Sequence, residues 1–327
     1  MSFSDIYGQD KQIAVLKNAM ERGRVPHAYL FHGTRGVGKR KTAKVFAKAL
    51  ICSKENLDSC DGCASCIKID HGNHPDVITI IPEGNVIKIG VIKDLRRQMK
   101  FRPFEGGRRV FIIVDADKMN SVSANSFLKT LEEPSPSSIL ILTASNPHLL
   151  PATILSRCRQ LRFNPIQVDT AALFLEKKLS INAESAYLLA SSSGGSIGKV
   201  LEMRENSYLT FRNEVIESVT ALNFKYPLKF LSLVDNFGKD GKDILGKLEI
   251  LVSWYRDILL YKETGEIKSL IHRDRVEIIR DFAGKISGLN ILKSIKTINR
   301  AYGAIEQNAN KPLTLEWMMF KLADVQY

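Results

Sequence analysis

Two groups of residues in this 327-residue chain have the types and spacing for chemistry. The first is Gly33-Thr34-Arg35-Gly36-Val37-Gly38-Lys39-Arg40. Glycines at this spacing let backbone N–H groups turn inward around phosphate oxygens, and Lys39 can reach the outer phosphates. A helix starting directly behind the loop would add its dipole. An ordinary glycine turn is the competing reading. The second group is Cys52, Cys60, Cys63 and Cys66. Four thiolates in a Cys-x7-Cys-x2-Cys-x2-Cys pattern can surround one zinc ion tetrahedrally, leaving no open position for catalysis. Free or redox-active thiols are the alternative, and a reducing interior disfavours disulfides. Such a site pins an excursion of about residues 52–72. Cys158 stands apart and reads as a small buried apolar residue.

The phosphate loop departs from the active pattern at its next position. A hydrolysing loop places Ser or Thr there, whose hydroxyl binds Mg²⁺. Here it is Arg40, a cation with no lone pair for the metal. Thr42 comes two residues too late, on another face of the helix. The apolar run VFIIV (110–114) leads to Asp115, where a Mg²⁺-linked carboxylate is expected. A hydrolysing enzyme of this type follows that Asp with Glu to polarise water. The sequence here is Asp115-Ala116-Asp117, so the base is missing and the next carboxylate is displaced by one residue. Asp115 reads equally as a strand-end cap. Further on stands Ser156-Arg157-Cys158. An Arg at a sheet's carboxyl edge can reach a neighbouring subunit's phosphates with its planar fork. Chemistry alone makes it equally a solvated or locally paired Arg.

These groups must be carried by ordered elements. The runs AYLFH (28–32), VFIIV (110–114) and ILILTA (139–144) read as strands buried on both faces, as in a parallel sheet. Between them Ala43, Phe46, Ala47 and Leu50 follow helical spacing, as do Phe127, Leu128 and Leu131 before Pro134. This predicts a doubly wound α/β domain to about residue 165. Strand signals then fade. Helices are expected over 169–180, 183–191 and from near Lys199, then throughout the stretch from about 208. In LEILVSWYRDILLYK (248–262), Leu248, Leu251, Tyr255, Ile258 and Leu259 share a face. A small helical second domain and a larger helical third are therefore expected.

Apolar residues make up 44% and charged residues 25%, which excludes wholesale disorder and collagen-like repeats. No apolar run approaches the ~18 residues of a membrane span, and Asp5 and Asp10 stand where a secretory signal would be apolar. A soluble, cytoplasmic protein is expected. The formal charge is +12. Residues 1–50 hold ten basic against three acidic side chains, while 51–100 balance at seven and seven. Residues 101–165 hold eight against five, so the N-terminal half carries most of the excess. That favours contact with a polyanion, either nucleotide phosphates or a nucleic-acid backbone; solubility alone is the alternative, and charge does not separate the two.

Together LFHGTRGVGK, ANSFLKTLEEP (124–134) and PATILSRC (151–158), with the four-cysteine insert between the first two, resemble bacterial DNA polymerase III clamp-loader subunits of the AAA+ class. The resemblance is dense from residue 4 to about 165. It is looser beyond, and returns in WYRDILL (254–260) and NANKPLTLEW (308–317). It implies an AAA+ α/β domain at 1–165 with a zinc module at about 52–72, a helical lid at 166–207, and an all-α collar or oligomerisation domain at 208–327. The family contains motor subunits with an intact loop and an Asp-Glu pair, and a second kind often degenerate at its own nucleotide site. Arg40, Ala116 and the segment HPDVITI (74–80) resemble the second kind.

By that resemblance Arg157, with Ser156, acts in trans as an arginine finger for an adjacent motor subunit. The degenerate nucleotide site comprises Gly33, Gly36, Gly38, Lys39 and Asp115, and the kept Lys39 leaves room for ATP or ADP without turnover. The family's second-sensor arginine follows a Gly-Ser-x unit; here Gly195-Ser196-Ile197 is followed by Gly198, and Lys199 is one residue off. The implied partners are motor subunits and a delta subunit in a heteropentamer, and, through that complex, a sliding clamp and primed DNA. No membrane is involved. The chain would be a non-hydrolysing part of a DNA polymerase holoenzyme. An active motor ATPase is the rival expectation. A base-reading zinc finger is disfavoured, because 54–72 has few basic residues and no reading-helix pattern.

Overall fold

The computed structural model describes residues 1–54, 57–84, 86–105, 107–205, 208–220, 237, 238 and 240–326. Two compact units are present: Met1–Ile181 with Ser193–Val200, and Asn182–Ser192 with Leu201–Tyr327.

In the first unit the chain runs through α1 (Asp10–Glu21), β1 (Ala28–His32), α2 (Lys39–Ile51), α3 (Ala64–His71), β2 (Val77–Ile80) and α4 (Ile89–Met99). Then come β3 (Arg109–Ile113), α5 (Ser121–Glu132), β4 (Ser138–Ala144), α6 (Ala152–Leu155), β5 (Arg159–Arg162) and α7 (Val168–Leu179). The strands form one parallel sheet in the order β2-β3-β4-β1-β5. Ala28 sits opposite Leu140, Arg109 opposite Ser138, and Tyr29 opposite Arg159.

Alternation along each strand supplies two cores. Tyr29, Phe31, Val110, Ile112, Ile139 and Ile141 pack with Val45 and Phe46 of α2 on one face. Leu30, Phe111, Ile113, Leu140 and Leu142 pack with Ile92, Phe127, Leu131 and Ile154 on the other. The sheet is thus doubly wound, as the apolar runs predict. Two strands lie outside that prediction. β2 is half-exposed along most of its length, and β5, Arg-Gln-Leu-Arg, buries only Leu161. Both are edge strands, which need no continuous apolar run and so leave a weak signal.

The segment HPDVITI has a structural task. Asp76 is fully buried at the start of β2 and accepts N–H bonds from Phe104 (2.9 Å) and Glu105 (2.8 Å). The Arg109 guanidinium lies 3.5 Å away and compensates its charge. This fixes the connection between α4 and β3.

The second unit is helical in its described parts. It contains α8 (Ala183–Ser192), α10 (Tyr208–Thr220) and four later helices: Gly241–Thr264, Val276–Lys285, Gly288–Glu306 and Lys311–Gln326. A further helix, α9 (Ile197–Glu205), begins in the first unit. Leu248, Leu251, Trp254, Tyr255 and Ile258 pack against Ile291, Ile298, Ala301, Met318 and Leu322. The motif NANKPLTLEW proves to be a helix start: the Asn310 side chain accepts the Leu313 N–H at 3.1 Å. Among the described residues no helix is long and apolar enough to cross a membrane.

A buried polar network threads this helical core. Asp257 of WYRDILL accepts the N–H groups of Ile271 (2.8 Å) and His272 (2.7 Å). Arg212 pairs through both ends of its fork with Asp274. Burial, with help from Arg212, pulls the His272 pKa down to about 3, so the ring is neutral and shares a hydrogen bond with the Ser253 hydroxyl. Burial pushes the Asp257 carboxyl up to about 6, against the opposing pull of the His272 N–H and Arg256.

A carboxyl raised in the folded state favours folding while protonated, and that contribution is lost as pH climbs through the folded value. Asp257→Asn keeps an oxygen acceptor without the charge. Its stability relative to the parent protein should improve between pH 4 and pH 7, by roughly 3 kcal/mol at most for a two-unit shift. Denaturant melts of both proteins at the two pH values check this; a difference independent of pH would contradict it.

Candidate functional site

The glycine-rich segment does form the connection between β1 and α2. Gly38 caps α2 in the left-handed region at φ 98°. Gly36, at φ 80°, lies against the turn 196–198 that starts α9: the Gly198 N–H donates to the Gly36 carbonyl at 3.0 Å. The approach is so close that a Cβ on Gly198 would sit 2.8 Å from the Gly36 Cα. A side chain at 198, arginine included, would displace the loop backbone.

Lys39 turns back into its own loop. It is only 6% exposed, and its ammonium donates to the carbonyls of Gly33 (2.6 Å) and Thr34 (2.8 Å) and to the Ser145 hydroxyl (3.3 Å). Burial lowers its pKa, while Asp115 and Asp117 oppose that effect. Arg40 is exposed, one position further along α2. The Thr42 hydroxyl donates to the Gly38 carbonyl at 3.0 Å, which confines it to the helix.

At the end of β3, Asp115 adopts a left-handed conformation (φ 49°) and its N–H donates to the Thr143 hydroxyl. Its carboxylate lies 3.9 Å from Lys118. Ala116 is fully buried. The displaced carboxylate of Asp117 has another role: it accepts the N–H groups of Ser145 (3.2 Å) and Asn146 (2.9 Å), fastening the loop after β4 to the end of β3. Lys39, Asp115 and Asp117 therefore converge at the carboxyl edge of β1, β3 and β4. The parts expected for Mg²⁺–nucleotide hydrolysis do not: no hydroxyl stands at position 40, no base follows Asp115, and the lysine is engaged by loop carbonyls.

Arg157 lies just past α6, two residues before β5. β5 runs parallel to β1 with Arg159 opposite Tyr29, so Arg157 stands at the amino end of the sheet and not at the carboxyl edge expected from the sequence, because α6 carries the chain back across the sheet before β5 begins. Its guanidinium makes none of its bonds with the phosphate loop. One arm donates to the Thr153 carbonyl at 3.1 Å, and the other meets Glu132 of α5 at 2.9 Å. The Ser156 hydroxyl donates to the same Thr153 carbonyl at 3.1 Å. The Arg157 side chain is 38% exposed. Spacing along the sequence gives no hint of Glu132, which is 25 residues away. Cys158 is buried, and burial pushes its thiol to about 12, as suits an inert apolar residue.

The four cysteines meet. The Sγ atoms of Cys52, Cys60, Cys63 and Cys66 all lie within 4.8 Å of one another. Bonds of ~2.3 Å to one zinc place thiolates ~3.8 Å apart, so the group fits the ion with little adjustment. Cys63 caps α3, and its sulfur accepts the Cys66 N–H. Although burial raises its pKa, the N–H donors of Cys66 and Ser53 prevail and bring it to about 5. The module is clamped to the phosphate-loop helix by Lys48 of α2, whose buried ammonium reaches Asp61 (2.6 Å), Asp70 (2.7 Å) and the Met1 carbonyl (2.9 Å). Burial opposes the Lys48 charge, but the two carboxylates outweigh it and raise the pKa.

A basic groove is present, drawn mostly from the charge-balanced stretch 51–100 and not from the excess in residues 1–50. Lys93, Arg96, Arg97 and Lys100 of α4 and just beyond it, with Lys129, Asn125 and Ser126 of α5, line an open groove of about 660 Å³. Arg97 pairs with Asp94 at 3.0 Å.

Residues 8–167 match a family model described as DNA polymerase III, delta subunit, and residues 207–324 match the C-terminal model of the same subunit. The DNA polymerase III subunit delta' of Bacillus subtilis is 30% identical over 322 residues, covering 97% of this chain and 96% of the relative. The chain belongs to the DNA polymerase III clamp-loader subunit family. The tau subunit of the same bacterium is 27% identical over 99% of this chain, which spans 62% of tau's length. Among solved structures, a gamma subunit-related protein of Thermotoga maritima aligns with 97% of the chain and 100% of its own at 18% identity and a TM-score of 0.41.

Purified protein should contain about one zinc per chain by elemental analysis, and none after Cys63→Ser with Cys66→Ser. Full metal occupancy in the double variant would refute a four-thiolate site.

Proposed function

We propose that this clamp-loader subunit is of the delta-prime kind: a non-hydrolysing member that gives Arg157 in trans to a neighbouring motor subunit. The observation that carries this reading is the pair Arg40 and Ala116, set beside Lys39 and Asp115 where these converge. Hydrolysis needs a hydroxyl at the first position for the metal and a carboxylate at the second for water. Arg40 and Ala116 remove the metal ligand and the base from the same centre. Arg157, by contrast, sits partly exposed at the amino end of the sheet, with both terminal nitrogens engaged. The near end-to-end match with a delta' relative supports the same assignment. The retained glycines and lysine favour the rival reading, an active motor of the gamma or tau kind.

In this scheme residues 1–165 form the AAA+ domain with its zinc module, 166–207 the lid, and 208–327 the collar that joins motor subunits and delta in a heteropentamer. The assembly works in the cytoplasm, where it opens a sliding clamp and places it on primed DNA. Zinc is structural, and any ATP or ADP bound at residues 33–39 is not turned over. The groove between α4 and α5 gives this chain its own contact with the DNA backbone: its cations can neutralise phosphates and release counterions.

The isolated chain should show no Mg-ATP turnover sensitive to Lys39→Ala; such turnover would restore the motor reading. In a reconstituted loader Arg157→Ala should reduce hydrolysis by up to ~10³-fold, and unchanged hydrolysis would return Arg157 to a local ion pair. Arg96→Ala with Lys100→Ala should lower affinity for primed DNA and flatten the log–log salt dependence by about 2. An unaltered salt slope would remove DNA from this groove.

A further inference from the structure

We infer that Glu132 is a positioning residue for the Arg157 finger, an assignment that rests on the reading of Arg157 given above. The two residues come from different elements, joined by the core on one face of the sheet. Phe127 and Leu131 of α5 are buried there with Ile154 of α6 and Cys158. This packing leaves α5 to end at Glu132 beside the turn that carries Arg157. The turn is itself fixed, since the Arg157 N–H donates to the Ile154 carbonyl at 3.1 Å.

The guanidinium is gripped at both terminal nitrogens. Glu132 Oε1 takes one at 2.9 Å and the Thr153 carbonyl takes the other at 3.1 Å. The Nε–H has no partner among the described residues. One edge of the planar fork is thereby tied to the protein, and unused N–H donors remain for phosphate oxygens. A long, flexible side chain is converted into a preset one, which limits the rotamer entropy lost when it engages a phosphate. Stability is a poor explanation for the pair. Glu132 is 48% exposed and Arg157 38% exposed, and ion pairs at such positions contribute little to folding.

Glu132→Gln keeps the size and loses the charge. The reconstituted loader, with DNA and clamp present, is the system for the test. The variant should melt and assemble like the parent. Its maximal ATP hydrolysis should fall about tenfold, with the KM for ATP unchanged, because binding of the neighbour's nucleotide does not depend on finger orientation. In a double-mutant cycle Glu132→Gln should have no further effect once Arg157 is Ala, because it acts only through that side chain. Full activity of Glu132→Gln while Arg157→Ala is impaired would overturn the positioning role and leave the finger standing. An equal loss in both backgrounds would also overturn it, assigning Glu132 a separate role. An inert Arg157→Ala would sink the finger reading itself, and the positioning role with it.

Discussion

A parallel sheet buried on both faces has no room for polar function within it, so this fold places its phosphate-loop groups at one edge. The carboxyl ends of β1, β3 and β4 release three connections: residues 33–38, 115–117 and 145–151. The polar contacts of Lys39 and Asp117 are made there, and Asp115 adds bonds to Thr143 and Lys118 at the same edge. The two hydrophobic cores hold these connections at fixed spacing, so a substitution in one is felt by the others.

Within that edge, charged side chains meet backbone partners from their own and neighbouring loops. Lys39 bonds to loop carbonyls and Asp117 to backbone N–H groups of the neighbouring loop. The Lys39 ammonium and one Asp117 oxygen are hydrogen-bonded, while the second Asp117 oxygen is buried without a partner among the described residues. Arg157 follows the opposite pattern. Its two terminal nitrogens are engaged by Thr153 and Glu132, yet the side chain stays 38% exposed. Under the proposed function, that exposure is what lets Arg157 serve a site in another chain.

Much of this was legible in the sequence, for identifiable reasons. The central strands show because burial on both faces demands unbroken apolar runs. The phosphate loop and the cysteine cluster show because their geometry is encoded within a few residues. The edge strands β2 and β5 were missed, since partial burial demands little of composition. Glu132 and the Lys48 clamp were missed for another reason: their partners lie 25, 13 and 22 residues away, beyond any local pattern. The role of Asp117 was hidden too, because a carboxylate displaced from a motif looks like loss until its backbone partners are seen. Gly198 reads in sequence as a missing arginine, and only the contact with Gly36 shows what the glycine permits.

That glycine pair bears on what loop and turn can accept. Gly36 and Gly198 touch backbone to backbone: Gly36 fills the space a side chain at 198 would need, and the Ser196 hydroxyl fills the space of one at 36. A side chain at 198 would first require the turn to back away from the loop, and one at 36 would have to displace Ser196. The close contact behaves as a lock: loop and turn can accept a larger residue at either position only by moving apart together.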